Sequence, residues 1–434
     1  MVVLESTNKS RSKERENVMW FKNTLTLIAA AVMAIGGTAI AQAPTGQPTI
    51  TQVSNVLTAD ENCGKDAAKK KAGCDDPSDH AWLHPALADA KNKVAVGFGI
   101  RTTFQAFEDG AESNGGRTRD FNLDNVRIFL SGKISEKISA NFHTDINGAQ
   151  PGHGTDNDGL HVLDAVINYE LTDTIGVKFG RFLPPTDRSN LSGPFFINAW
   201  EFPWVQYTNG YYDIFQGRDD GVVLHGEMGD DTQIKWSFGI FEGYDTTGVA
   251  GDDNVWVVGR VVANFLDKEE GYFNSSTYYG EKDIAAIGMS FSNQADAHGD
   301  GIDYTSWSLD ALYEKKTDGG GVLTAEAAYY DRDHDGDAGF QDLEGEGYFM
   351  LVSYLFSNST SLGNLEGRLQ PSIRYQESDR QAPGVGNREN QVDYALNYII
   401  HGHSARLSLV FSDIGYSGGV EDEQRVTIGG QIRF

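Results

Sequence analysis

The chain has 434 residues, including 50 Gly and only 11 Pro, with 11% aromatic residues and a formal net charge of −27 at pH 7. This composition argues against a largely disordered chain, and the negative charge argues against nucleic acid as a partner, because DNA and RNA attract basic surfaces. The acidic balance indicates first a soluble surface with solvated loops, and second a surface that attracts cations.

The N-terminal part has the features of an export signal. The apolar run at 25–40 is shorter than the about 20 residues that a membrane helix needs, and small residues follow it, as in a signal peptide. We expect residues 1–41 to be this signal, cleaved after Ala41. Met19 is a second candidate start, which would leave residues 1–18 untranslated. No second apolar run of this length follows, which argues against a helical membrane protein.

The next segment, residues 42–91, is polar and rich in Lys and Asp. It is predicted to be an N-terminal periplasmic segment. Its two cysteines, Cys63 and Cys74, predict a disulfide that closes a small loop, because exported proteins fold in an oxidising compartment. The alternative is a metal site that also uses His80 and His84.

From Lys93 to the end, apolar and polar residues alternate in segments of about ten residues, which is the period of a β-strand. These segments are longer than the strands of soluble sandwiches, which have about 5–6 residues. Their connections alternate between tight turns and long polar loops, as in outer-membrane barrels. We therefore predict an all-β fold for residues 92–434, a transmembrane antiparallel β-barrel. The predicted strands number about sixteen: 92–107, 119–134, 137–147, 161–171, 174–182, 218–228, 232–243, 253–265, 283–293, 303–315, 321–332, 345–357, 364–376, 390–400, 404–413 and 424–434.

Two details leave the strand count open. The connection 266–282 is long, although the parity of the strands places it on the side of the short turns. A further pair of strands near 200–216 and 268–280 would give eighteen.

The connection between strands 5 and 6, residues 183–217, is much longer than the others. Long loops in compact folds are usually functional, and a disordered loop would lack its aromatic residues. We predict a constriction loop that folds into the barrel; the alternative is an extracellular cap that packs on itself. The residues assigned to the constriction are Asp187, Phe195, Phe196, Trp200, Trp204 and Tyr207.

The start of this loop carries a specific resemblance. After a strand with Gly176-Val177-Lys178 comes the run Gly180-Arg181-Phe182-Leu183-Pro184-Pro185-Thr186-Asp187-Arg188-Ser189-Asn190-Leu191. This run resembles the phosphate-selective porin O/P family, and the resemblance covers roughly residues 90–434. It implies a sixteen-stranded porin of the Gram-negative outer membrane, usually a homotrimer in the lipid bilayer, that passes small solutes and sometimes anions such as phosphate.

Basic residues on the pore-facing phase are candidates for contacts with the solute, because arginine suits phosphate-like anions. The predicted pore-lining residues are Arg101, Arg127, Lys178, Arg181, Arg188, Arg218, Lys235, Arg260, Arg368, Arg374 and Arg406, with Arg433 on the same phase. Acidic residues oppose them, namely Asp145, Asp164, Asp310, Glu326 and Asp393 in the strands and Asp187, Asp213, Asp219 and Asp220 around the loop. The sequence therefore leaves anion preference and a transverse field that orients polar solutes as alternatives.

One acidic run has the spacing of a calcium-binding loop. Its carboxylates are Asp331, Asp333, Asp335, Asp337 and Asp342, with Gly336 at the turn position. A solvated acidic loop is the alternative, and no other cofactor is predicted.

No nucleophile elbow, zinc-protease helix or phosphate-binding loop motif is present, so we predict that the protein is not an enzyme. The predicted function is passive diffusion of small hydrophilic solutes or ions. The alternative is a non-conducting or sheath-like barrel that houses a periplasmic partner such as an electron-transfer protein.

Overall fold

The computed structural model describes residues 94–108, 118–146, 160–207, 217–244, 254–297, 301–335, 344–379, 388–418 and 421–434. Its strands are β1 (Val94–Glu108), β2 (Thr118–Lys133), β3 (Ile138–Ile146), β4 (Leu160–Glu170), β5 (Ile175–Phe182), β6 (Asp219–Met228), β7 (Gln233–Phe241), β8 (Trp256–Asn264), β9 (Ile284–Gln294), β10 (Asp303–Lys316), β11 (Val322–Asp335), β12 (Gly345–Leu355), β13 (Ser359–Leu362), β14 (Leu365–Ser378), β15 (Arg388–His401), β16 (Ala405–Tyr416) and β17 (Glu423–Arg433). Two short helices, α1 (Arg188–Ser192) and α2 (Trp204–Tyr207), lie between β5 and β6.

The strands form one closed antiparallel barrel. Apart from β12 and β13, strands that are neighbours in the chain pair with each other, and β1 pairs with both β2 and β17, which closes the sheet. β12 and the short β13 both pair with β14, so together they occupy one position in the wall. The seventeen strands therefore make sixteen positions, and the predicted sixteen-stranded barrel is confirmed.

The eighteen-strand alternative is wrong. Residues 268–280 contain no strand, and the described part of 200–216 contains only helix α2 and its flanking turns. The long connection between β8 and β9 has a different role, which is described below.

The wall has polar side chains inside and apolar side chains outside, the reverse of a soluble protein. On β9, Ser290 and Ser292 are buried on the inner face, whereas Met289 and Phe291 are more than half exposed on the outer face. Such an outer surface is suited to lipid. Among the described residues, no helix has the length and apolarity needed to span a membrane.

Candidate functional site

Two connections fill part of the barrel interior. We call residues 183–218, between β5 and β6, the loop, and residues 265–283, between β8 and β9, the lower segment. The loop begins with α1, whose N-cap Asp187 accepts a hydrogen bond from the Asn190 amide (Oδ1 to N, 3.0 Å), and α1 ends at Gly193 with a φ of 74°.

The loop crosses the lumen. Arg406 on β16 donates hydrogen bonds to the carbonyl oxygens of Ile197 and Ala199, both at 3.0 Å. Gln431 on β17 donates to the Phe195 carbonyl at 3.1 Å. Because these inward side chains lie on strands far from β5 and β6 in the barrel, the described part of the loop lies inside the wall.

Two wall glycines make room for the aromatic residues of the loop. A Cβ on Gly99 of β1 would lie 2.6 Å from Cζ of Phe195, and one on Gly429 of β17 would lie 2.6 Å from Cε2 of Trp200. These distances are far below van der Waals contact. The absence of side chains at these two positions therefore lets the loop pack directly on the backbone of the wall.

Helix α1 is tied to the lower segment by a buried ion pair. Both terminal nitrogens of Arg188 donate to the Glu269 carboxylate, at 2.7 and 2.6 Å, and Tyr278 donates to the same carboxylate at 2.6 Å. Arg188 also donates to the Ser275 carbonyl at 2.9 Å. Bidentate arginine–carboxylate pairs fix geometry as well as charge, so the two inward segments act as one unit.

The electrostatics of this unit follow from burial and charge. Burial alone would raise the pKa of Glu269, but the adjacent Arg188 guanidinium holds it at about 2. Burial raises the pKa of Asp187, whose nearest charges include Asp310. The pKa of Tyr278 is raised, first by burial and then by the neighbouring Glu269.

The wall from β8 to β12 is covered by these two segments. Its inward residues are almost all buried, and its buried carboxylates are bonded: Arg260 donates to Asp310 at 2.6 and 2.8 Å, and Ser276 donates to Glu326 at 2.9 Å. The loop extends this pairing, because the backbone amide of Arg188 also donates to Asp310 at 3.2 Å. The inner face of this part of the wall is therefore packed where the structure describes it.

The wall from β2 to β7 is more open in its half nearest the lower segment. Inward residues there are partly exposed, namely Ser139, Asn141, His143, Asn168, His225, Lys235 and Ser237. We call this surface the open wall. The open wall is therefore a candidate path for a solute through the described part of the barrel.

A ring of charged residues lies where the open wall meets the loop. Arg127 donates to Asp145 at 2.7 Å, and Asp164 contacts both Arg218 at 3.3 Å and Nδ1 of His143 at 2.8 Å. Beside Arg127, Phe195 of the loop packs edge-on against Phe129, with ring centroids 6.1 Å apart.

Two lysines on the open wall form no salt bridge among the described residues. Lys178 Nζ donates to Asn168 Oδ1 at 2.6 Å and lies 5.2 and 5.3 Å from the ring centroids of Tyr272 and Phe273. Lys235 Nζ lies 3.5 Å from the Phe273 carbonyl oxygen. Wall carboxylates nearby are already engaged, since Glu227 accepts a hydrogen bond from Gln233 at 2.7 Å.

Most of the predicted pore-lining residues lie on the inner face, but the loop covers many of them. Arg101, Arg127, Lys178, Lys235, Arg260, Arg368, Arg374, Arg406 and Arg433 point inward, and Arg218 lies at the root of the loop. Arg188 is buried in its ion pair and does not face open space. Of the opposing acids, Asp145, Asp164, Asp310, Glu326 and Asp393 are inward and buried.

Arg181 was wrongly predicted to line the pore. It is an odd number of residues from the inward Lys178, the pairing with β4 is continuous between the two, and its side chain points to the outer face. It is 45% exposed there and pairs with Asp220, at 2.6 Å.

The aromatic residues predicted for the constriction lie in the loop, and Trp204 is the first residue of α2. Trp200 also takes part in cation–π contacts with Arg101 and Arg406, at 4.3 and 5.3 Å from the ring centroid. The side chain of Tyr207 lies outside the described residues. That this loop sets the solute size limit stays a prediction.

Residues 331–335 of the predicted calcium loop lie in β11 and pair with β10, Asp331 opposite Trp307 and Asp333 opposite Thr305. Asp337 and Asp342 lie outside the described residues, and no metal-binding cluster is found among the described ones. The signal peptide, residues 42–91 and the Cys63–Cys74 pair also lie outside the described part of the chain. These stay predictions.

Sequence reasoning missed the lower segment. Glu269, Tyr272, Phe273 and Tyr278 position the loop or line the open wall, yet none was selected. The signal was the long connection on the short-turn side of the barrel, with a cluster of aromatic residues in it.

Comparison with known proteins gives a consistent result. Residues 94–250 match the family model described as phosphate-selective porin O and P. Similar solved structures include an anion-selective porin from Comamonas acidovorans (13% identity, TM-score 0.52), which covers 79% of this chain and 100% of that one. Another is the outer membrane channel DcaP of Acinetobacter baumannii (14% identity, TM-score 0.50, covering 79% and 97%). A third is OprB of Pseudomonas putida (12% identity, TM-score 0.50, covering 79% and 94%). No curated protein matches the sequence significantly.

Proposed function

We propose that this chain is a diffusion porin of the Gram-negative outer membrane and a member of the phosphate-selective porin O and P family, and that it favours anions modestly over cations. Its family and fold point to a channel rather than an enzyme. The inward-folded loop and lower segment argue against the sheath alternative, because they occupy the space that a periplasmic partner would need.

The unpaired lysines of the open wall carry the proposal. The wall carboxylates Asp145 and Asp164 are tied to arginines and Glu227 accepts a hydrogen bond from Gln233. Among the described residues, Lys178 and Lys235 form no salt bridge. Charge of one sign in a narrow passage with low-dielectric walls concentrates ions of the opposite sign. The anion-selective porin with a similar fold supports the same direction.

The proposal does not extend to a dedicated phosphate site. The arginines best suited to bind phosphate, Arg188, Arg260 and Arg374, are buried and already bonded to carboxylates. Their forked donors are therefore not available to a solute in the passage.

The test is the reversal potential of single channels in a planar bilayer with a KCl gradient. At about 0.1 M salt, we expect the reversal potential to have the sign of preferential chloride permeation. At about 1 M salt, the reversal potential should be smaller, because the Debye length falls from about 10 to about 3 Å and the lysine charges are screened. The double variant Lys178→Met with Lys235→Met should shift the potential toward cations at unchanged folding.

Lys137→Met is the matched control, because Lys137 is an exposed lysine in a turn at the same end of the barrel. It should leave the potential unchanged. A cation-selective native channel would contradict the proposal. A homotrimer, which the family resemblance implies, would give current steps in groups of three.

A further inference from the structure

We infer that the open wall contains a subsite for aromatic carboxylates, formed by Phe273 together with Lys235 and Lys178. This inference rests on the proposed anion preference and names the class of anion that the same surface would hold longest. It depends on an apolar ring that anion passage alone does not require.

Phe273 is exposed inside a polar passage. Its side chain is 42% exposed, although it lies next to inward side chains of β5 and β7 and not on the lipid face. An aromatic side chain beside a few convergent polar groups is the combination from which small-molecule sites are built.

The ring is held in place by its neighbours. Tyr272 packs edge-on against it with centroids 5.0 Å apart and donates a hydrogen bond to the Leu183 carbonyl at 2.8 Å. On the other side, Asn274 donates to the Arg188 carbonyl at 3.0 Å. Phe273 therefore lies between two residues bonded to the loop, so the surface is formed before a ligand arrives.

One positive charge lies beside this ring, and a second lies beside the backbone of the same residue. The Lys178 ammonium is 5.3 Å from its centroid, and the Lys235 ammonium is 3.5 Å from the Phe273 carbonyl oxygen. Lys235 is the more accessible of the two, because Lys178 is 8% exposed and acts mainly through its field. His225 lies diagonally between them in the strand register, opposite Gly176 and Ser237, and its ring packs against Tyr272 at 5.2 Å.

This arrangement distinguishes between anions. Chloride, acetate or phosphate would use only the ammonium groups. A benzoate-like anion would use the ammonium groups for its carboxylate and the face of Phe273 for its ring, and aromatic pairs add about 0.5–1.5 kcal/mol beyond simple burial, or about 2- to 10-fold in affinity.

The experiment measures block of the chloride current through single native channels by sodium benzoate and by sodium acetate. We expect benzoate to block at concentrations about 2- to 10-fold lower than acetate. Phe273→Ala should bring benzoate to the level of acetate, with acetate block unchanged. Lys235→Met should weaken both.

Phe291→Ala is the matched control for loss of a phenylalanine, because Phe291 is 53% exposed on the lipid face of β9. Phe273→Leu is a second variant that keeps an apolar side chain without the aromatic face, and it should also lose the benzoate preference. Equal block by benzoate and acetate in an anion-selective native channel would overturn the subsite and leave the anion preference standing. A cation-selective native channel would instead contradict both the anion preference and the subsite that rests on it.

Discussion

Charged side chains have different surroundings on the two sides of the inner wall. Along β8 to β12, the loop and the lower segment cover the wall, and its buried carboxylates are bonded, Asp310 to Arg260 and Glu326 to Ser276. Along β2 to β7, several inward side chains stay partly exposed, among them Lys235, which forms no salt bridge among the described residues. Charges removed from water need partners, whereas charges facing a hydrated passage do not. The difference therefore separates the packed core of this barrel from its passage.

The largest expected effect comes from breaking the pair that holds the covered side together. Arg188→Ala should destabilise the barrel by about 3–5 kcal/mol, because it leaves Glu269 buried without its partner. The loop should loosen at the same time, so that single-channel conductance rises and becomes noisy. Unfolding in denaturant, followed by gel mobility in detergent, measures the stability.

Arg181→Ala is the matched control, because Arg181 pairs with Asp220 on the exposed outer face. An exposed ion pair contributes about 0–1 kcal/mol. Equal losses in the two variants would show that the covered side is not held by its ion pairs.

A smaller effect is expected where the loop contacts the backbone of the wall. Gly99→Ala should destabilise by about 1–3 kcal/mol through overpacking, because its Cβ would meet the ring of Phe195. Gly259→Ala tests the same change on β8, where a Cβ meets no atom within 4 Å. That variant should be neutral or slightly stabilising, and thermal unfolding of the two compares them directly.

The smallest effect is expected on mild acidification. Arg188 depresses the pKa of Glu269 to about 2, so the stabilisation from this pair is complete above the ordinary glutamate pKa of about 4.3 and is lost as pH falls through 2. Between pH 7 and pH 5, native channels should therefore keep the conductance noise of a fixed loop. If noise like that of Arg188→Ala developed across this interval, the ion pair would not be what fixes the loop.

Much of the wall could be predicted from the sequence, because period-two alternation depends only on neighbours in the chain. The alternation also predicts which face of the wall a side chain points to. Arg181 was assigned to the pore although it lies an odd number of residues from the inward Lys178. The strand β1 shows the limit of counting: its register against β2 shifts between Arg101 and Thr102. A local bulge of this kind leaves no clear mark in the alternation.

The contacts inside the barrel could not be predicted in the same way. The partner of Arg188 is Glu269, 81 residues further along the chain, and nothing in the spacing selects it from the other acidic residues. Likewise, the exposure of Phe273 depends on where the lower segment meets the loop. Such contacts are set by the closed wall, so they follow from the whole fold and not from any segment.

The hydrogen bonds of the loop also indicate the order in which the parts of the barrel fold. The loop carbonyl of Ile197 meets its partner Arg406 across 209 residues, and that of Phe195 meets Gln431 across 236. Contacts between such distant residues form slowly, because the entropy of closing a long chain is lost before the contact stabilises it. We therefore expect the contacts between the loop and the wall to form last. A folding intermediate would have most of its wall in place around a hydrated, mobile centre, and would leak before it became selective.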